Sequence, residues 1–245
     1  MRVAIQLSGN PRFTIGFKSF LENLIGYDQA DWFVYMTNNN FQNDKNDVFI
    51  PESWKMFDVE WAIDKIQSNI PDNNYLKQFE ISDGHEKSWP DAINLHCLIG
   101  NNPVQRVYSM HYNTHKANQL RVNYQKDNNV EYDYVIKVRP DIDFDNKINL
   151  KNIKIEQNEM LMPKNNWFGN DSAGIVTNDT FAISRSESMN IYSNLINFIG
   201  QYNNEGVKFH PESLLAHHLH VNNIKCIRGE FNSLINRSPF LDNWC

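Results

Sequence analysis

Two aspartates one residue apart, Asp141 and Asp143, close the stretch 132–143, Tyr-Asp-Tyr-Val-Ile-Lys-Val-Arg-Pro-Asp-Ile-Asp. Carboxylates at this spacing can share a hard divalent cation, which takes oxygen ligands. Asp-x-Asp after a proline is also ordinary turn chemistry, and both readings stay open on spacing alone. What favours the site is the run before it. Val135, Ile136 and Val138, flanked by Tyr132 and Tyr134, have the β-branched and aromatic make-up of an interior strand. Pro140 ends the ladder because it has no N–H to donate. Both aspartates therefore belong to the carboxyl edge of a strand, where open α/β sheets bind ligands.

A second stretch with chemical potential is Ser8-Gly9-Asn10-Pro11-Arg12. It joins an apolar strand, Val3 to Leu7, to the helical spacing Phe13, Phe17, Phe20, Leu21, Leu24. A strand-turn-helix opening of this kind presents small residues and free backbone N–H groups at a helix start. That suits a phosphate or another anion, with Arg12 as the charge partner. One glycine makes neither a P-loop nor a dinucleotide fingerprint, so a plain tight turn is the alternative. The histidines are less informative: the spacing of His85 and His96 fits no metal template, and His217, His218 and His220 point to different faces of a helix.

These residues need elements to hold them. Asp31 to Thr37 reads as a second strand, 38–47 as an Asn-rich loop, 54–60 as a strand and 61–70 as a short helix. The segment 71–102 mixes Asp, Asn, Pro and Gly with aromatics, and its length suggests a lid or binding loop. Val104, Val107, Tyr108, Tyr112, Leu120 and Tyr124 give a helix over 103–126 that would cover one face of the sheet. Met160 to Met162 and Gly174 to Val176 read as short strands. Asn178 or Asp179 is placed to cap a helix running through Phe181, Met189, Ile191, Leu195 and Phe198. Pro211 opens a further helix with Leu214, Leu215, His218 and Leu219, its first turn carrying Glu212, and Ile224 to Ile227 is a late strand. Strands alternating with helices imply an α/β sandwich, and no internal repeat is visible.

The chain has 245 residues, 41% hydrophobic and 13% aromatic, enough for one large domain with its own core. A net charge of −6 argues against a general nucleic-acid or anionic-membrane binder, since both need a basic face. Cys97, Cys226 and Cys245 show no paired spacing, so neither a disulfide framework nor a zinc knot is suggested. The opening Met-Arg-Val-Ala-Ile-Gln-Leu-Ser-Gly has too short an apolar run for a signal peptide. No run of about 18 apolar residues appears anywhere. The expectation is a soluble, cytoplasmic protein in a reducing compartment, without a transmembrane segment.

Taken in order, these pieces resemble GT-A-type glycosyltransferases, the nucleotide-sugar-dependent class with a Rossmann-like sheet and a DxD metal motif. More narrowly, they are similar to small viral and bacterial members carrying SGxxR, YDxVIxxRPDID, NDxFAI and HPExLLxxHL. Here those are residues 8–12, 132–143, 178–183 and 210–219, spread over nearly the whole chain. The resemblance implies a GT-A α/β/α sandwich with a mixed, mainly parallel central sheet. It implies a single domain, 1–245, with a nucleotide-binding half (1–143) and an acceptor-side half (144–245). The implied activity is transfer of a sugar from a nucleotide diphosphate donor to a saccharide or other hydroxyl acceptor, as in polysaccharide biosynthesis. Asp143 would ligate Mn²⁺ or Mg²⁺, and Asp141 would hold the metal through water or bind the ribose. Ser8, Gly9, Arg12 and Arg139 would line the nucleotide sugar, or Arg139 would pair with an aspartate. Asp179 and Glu212 would be acceptor-side carboxylates able to take the hydroxyl proton, with Glu212 preferred. His210 is a possible late metal or phosphate ligand, and Trp89, Trp167 and Tyr202 could stack on a sugar or base. The alternative is a non-catalytic carbohydrate- or nucleotide-binding domain of the same fold.

Overall fold

The structure is a computed structural model that describes residues 1–9, 23–26, 29–37, 76–82, 104–165, 168–170 and 175–235. Its first elements are β1 (Arg2–Gly9), β2 (Leu24–Ile25), β3 (Gln29–Thr37), β4 (Leu76–Ser82), α1 (Val104–Asn128) and β5 (Tyr134–Val138). There follow β6 (Ile142–Phe144), β7 (Ile148–Asn149), β8 (Glu159–Met162), β9 (Phe168–Asn170), β10 (Ile175–Thr177) and β11 (Phe181–Ser184). The chain continues with α2 (Ser186–Ser193), α3 (Ile199–Asn204), α4 (Pro211–Val221), β12 (Lys225–Arg228) and β13 (Ser233–Ile235).

A seven-stranded sheet in the order β12-β8-β11-β5-β1-β3-β4 forms the centre. Its ladders are parallel at β12–β8, β5–β1, β1–β3 and β3–β4, and antiparallel only on the two sides of β11. The fold is thus mixed α/β, Rossmann-like, with a mainly parallel sheet flanked by helices. Strands of the 1–143 stretch and of the 144–245 stretch share this one sheet. Among the described residues no helix is long and apolar enough to cross a membrane.

Alternation along the strands separates two buried clusters. Val3, Ile5 and Leu7 of β1 and Tyr134, Ile136 and Val138 of β5 pack with Phe144, Ile148, Phe181 and Phe231. Ala4 and Val135 face the other way, onto Val107 and Tyr108 of α1, Met189 and Tyr192 of α2, and Leu214 and Leu215 of α4. Ile136 is fully buried, so truncating it to alanine costs about 2–5 kcal/mol in lost transfer energy and cavity.

Several expected elements stand close to where the sequence puts them: β1, β3, β5, β8, α1, α4 and, one residue later than read, β12. The helix proposed from Asn178 or Asp179 does not begin there. Phe181–Ser184 is a strand buried throughout, and the helix starts only at Ser186. Four apolar or small residues running into a helix without a turn signal have no period that separates strand from helix, and the vacancy between β5 and β8 decides the matter. Leu24, read as helical, lies in β2, paired with Ile148. The segment 71–102, expected as a lid or binding loop, contains an edge strand, β4. The expected helix over 13–23 lies outside the described residues except Asn23, and 38–75, His85, Trp89, His96 and Trp167 lie outside them entirely.

Strand polarity builds one working edge. Leu7 pairs with Val138, so Ser8 and Gly9 emerge beside Arg139 and Pro140. Gly9 has φ +135°, a conformation that favours glycine where the turns converge, and its Cα side lies in ordinary contact range of Pro140. Because β11 is reversed, Phe181 pairs with Val138, and the turn before it, bearing Asp179 and Thr180, arrives at that same carboxyl edge.

Candidate functional site

At this edge the side chains of Lys137, Arg139, Asp141, Asp179, His210 and Glu212 gather. Arg139 and Asp141 form a bidentate pair: Nε donates to Oδ1 at 2.9 Å and Nη2 to Oδ2 at 2.8 Å. The Asp141 side chain is 3% exposed and that of Arg139 21%. Burial pulls the Arg139 guanidinium down, but the charge and hydrogen bonds of Asp141 outweigh it, and Asp179 and Glu212 add to them. The net result is a pKa above the ordinary arginine value. Arg139 thus fixes Asp141, one of the two roles its sequence context allowed.

Asp179 is buried in the turn before β11. Desolvation first, and the Glu212 carboxylate second, push its carboxyl above the usual range, while Lys137, Arg139 and His210 pull the other way. Glu212 occupies the first turn of α4 behind Pro211, with His210 in extended conformation at the cap position. His210 Nδ1 lies 2.7 Å from Glu212 Oε2, an ion pair when the ring is protonated. The helix N-terminus favours a carboxylate here.

Lys137 is the residue that sequence reasoning missed. It lies in a strand buried at every position and shares the helix-facing side with Val135. Its Nζ donates to the Asp179 carbonyl and, at 3.5 Å, to that of Thr180. The Tyr192 hydroxyl donates to the same Asp179 carbonyl at 3.3 Å. Burial pushes the Lys137 ammonium down to about 8, with Asp179 raising it and Arg139 lowering it further.

The inner wall is also more polar than the sequence suggested. The α1 pattern predicts an apolar cover, yet His111, Asn113, Thr114, Asn118 and Arg121 are buried. Gln6 donates to Asn118 at 2.7 Å, Thr37 to Asn113 at 2.6 Å, and Ser8 Oγ lies 3.4 Å from Thr114 Oγ1. The helix-facing side of the sheet is itself polar at Gln6, Ser8 and Lys137, so the helix answers with hydrogen bonds instead of methyl groups. The signal was legible as positions 111, 114, 118 and 121, one helical face. His111 holds its imidazole neutral: burial first, then the charge of Lys137, lower its pKa to about 3.

The remaining candidates are placed as follows. The Ser8 hydroxyl turns inward to α1, so a ligand at this turn would meet backbone. Arg12 lies outside the described residues. Asp143 sits in β6 opposite Leu234. One of its oxygens accepts the N–H of Phe144 at 2.7 Å, and the other makes no hydrogen bond among the described residues. Tyr202, read as a stacking surface, is instead 4% exposed, its hydroxyl 2.8 Å from His218 Nδ1.

Asp143 is the carboxylate here that could offer an oxygen to a divalent ion of the kind that keeps water and substrate phosphate in its shell. Both Asp141 oxygens face Arg139, and among the described residues no three His, Cys, Asp or Glu side chains group as a metal site. Magnesium-type sites commonly use one or two carboxylates in this way. In comparisons with known proteins, no family model and no curated protein matches the chain.

Proposed function

We propose that the protein is a glycosyltransferase that moves a sugar from a nucleotide diphosphate sugar to a saccharide or other hydroxyl acceptor, with Mn²⁺ or Mg²⁺ held by Asp143 and, through water, by Asp141. The observation that carries this reading is the convergence of Asp141, Asp179 and Glu212 with Arg139 and Lys137 at the carboxyl edge of β5, beside the Ser8-Gly9 turn. Three carboxylates from distant parts of the chain would be costly to gather at a buried edge without a use for them.

When bound, the ion would neutralise the departing diphosphate. The residues of the chain divide the rest. The N–H groups of the opening turn receive phosphate oxygens. Arg139 holds Asp141 in one orientation. Glu212, less enclosed than Asp179, takes the proton of the acceptor hydroxyl as its oxygen bonds to the anomeric carbon and the bond to the diphosphate breaks. Asp179, behind it, keeps a second negative charge beside the proton's destination.

The test is incubation with a panel of nucleotide sugars and Mn²⁺, with and without acceptor sugars, reading released nucleoside diphosphate. Metal-dependent release from one donor supports the proposal. Donor binding without release from any member of the panel would replace it with the non-catalytic binding domain.

A further inference from the structure

We propose that Lys137 is a positioning residue whose buried ammonium, fixed on the carbonyls of Asp179 and Thr180, holds the turn bearing the Asp179 carboxylate and supplies the charge that keeps Asp179 ionised beside Glu212. This rests on the reading of Asp179 and Glu212 as the working carboxylates.

A lysine at the centre of a buried strand needs an explanation. Removing an ammonium from water costs several kcal/mol even after relaxation, and an apolar residue would satisfy the sheet. Nζ donates to two backbone carbonyls, with the Tyr192 ring 6.0 Å away. An ammonium tied to carbonyls stays charged without spending its charge on any one carboxylate. Its field therefore reaches the whole cluster. Two cations, Lys137 and Arg139, stand among three carboxylates, Asp141, Asp179 and Glu212. Arg139 spends its hydrogen bonds on Asp141, and of the cations acting on Asp179, Lys137 outranks Arg139 and His210.

Position and charge are linked by one contact. The Asp179 carbonyl is held by Lys137 Nζ from β5 and by the Tyr192 hydroxyl from α2, so the backbone that bears the carboxylate is held against the strand that leads to Arg139. The titratable groups around the pair are Lys137 of β5, Arg139 and Asp141 just after it, His111 of α1, Tyr192 of α2, His210 at the cap of α4, and Glu212 and His218 within α4. Among these Lys137 is the buried cation that touches the Asp179 turn.

The experiment follows the side-chain carboxyl ¹³C resonance of Asp179, assigned by its loss in Asp179→Asn, as a function of pH. In Lys137→Met, which keeps the unbranched stem as far as Cε and removes the charged head, its titration should move up by about 1 unit or more, the scale of losing a nearby opposite charge. Tyr192→Phe removes the other hydrogen bond to the same carbonyl without removing charge, and should move it by a small fraction of that. A folded Lys137→Met protein whose Asp179 titrates as in the wild type overturns the proposal. So does an equal shift in Tyr192→Phe, which would make the turn's hydrogen bonding the whole effect. If Lys137→Met fails to fold, reciprocity decides the question. Lys137, followed by its ε-carbon resonance, should titrate lower in Asp179→Asn than in the wild type, and an unchanged titration overturns the proposal. These readings need no turnover, so failure of the nucleotide-sugar panel would remove the glycosyltransferase and leave the role of Lys137 decided by its own result.

Discussion

Removing Arg139 should cost more stability than removing Asp141, and the two losses should not add. In Arg139→Ala the Asp141 carboxylate, 3% exposed, loses both hydrogen bonds of its fork and stays buried, and breaking a buried pair in this way costs about 3–5 kcal/mol. In Asp141→Ala the guanidinium keeps 21% exposure and still has Asp179 and Glu212 near it. The cost is then closer to that of the lost charge-assisted bonds, about 1.5–3 kcal/mol. The double variant leaves neither orphan, so the coupling should be about 2 kcal/mol, well above the roughly 0.5 kcal/mol within which independent sites add. Urea unfolding of the four proteins, followed by tryptophan fluorescence with the buried Trp32 as a core reporter, measures the cycle. An Asp141 variant at least as damaged as the Arg139 variant, or additive losses, would refute the picture of a buried carboxylate held chiefly by the Arg139 fork.

Three other outcomes follow from the same edge. Glu212→Gln should keep donor affinity within about threefold and lower turnover by roughly 10²-fold, the usual scale of general-base loss; if Asp179→Asn gives that signature instead, the base is Asp179. Asp143→Ala should abolish Mn²⁺-dependent nucleotide binding, measured calorimetrically with and without EDTA, while changing stability by less than about 1 kcal/mol, because a partly exposed carboxylate contributes little to the core. His111 should make the fold acid-sensitive: the native ring resists protonation down to about 3 against an ordinary 6.5, so the unfolded chain takes up the proton first. Stability from this group is complete above pH 6.5 and declines as pH falls towards 3, by about 2 kcal/mol at pH 5. Comparing urea midpoints at pH 7.5 and 5 should show a smaller acid loss in His111→Gln, and an equal loss would exclude His111 as its source.

The strand leading to Asp141 was legible because its pattern is local: β-branched residues, aromatics and a proline that stops the ladder. The meeting of Asp179 and Glu212 with that strand was legible only through the order of four short motifs, since spatial neighbours separated by tens of residues leave no periodic trace. Asp179 was given a helix cap it does not have, because Phe181–Ser184 reads equally well in two periods until a neighbouring strand claims it. Lys137 was passed over because a lysine in an apolar run ordinarily marks an edge or a solvent-facing position, and its real partners are backbone carbonyls, which sequence does not name. The polar face of α1 was hidden by the aromatic residues interleaved with it.

That face has a mechanical consequence. Asn113, Thr114 and Asn118 are hydrogen-bonded to Thr37, Ser8 and Gln6 on two adjacent strands, anchor points spread over about 7.5 Å of helix. A ratchet of one turn, about 5.4 Å, would unmake every one of them at once in a place water does not reach. Apolar contacts tolerate sliding because one methyl group replaces another; matched donors and acceptors do not. Helix α1 and the parallel strands therefore move as one body, a fixed wall. Whatever breathing admits a substrate must then come from some motion other than a slide of α1 along the sheet.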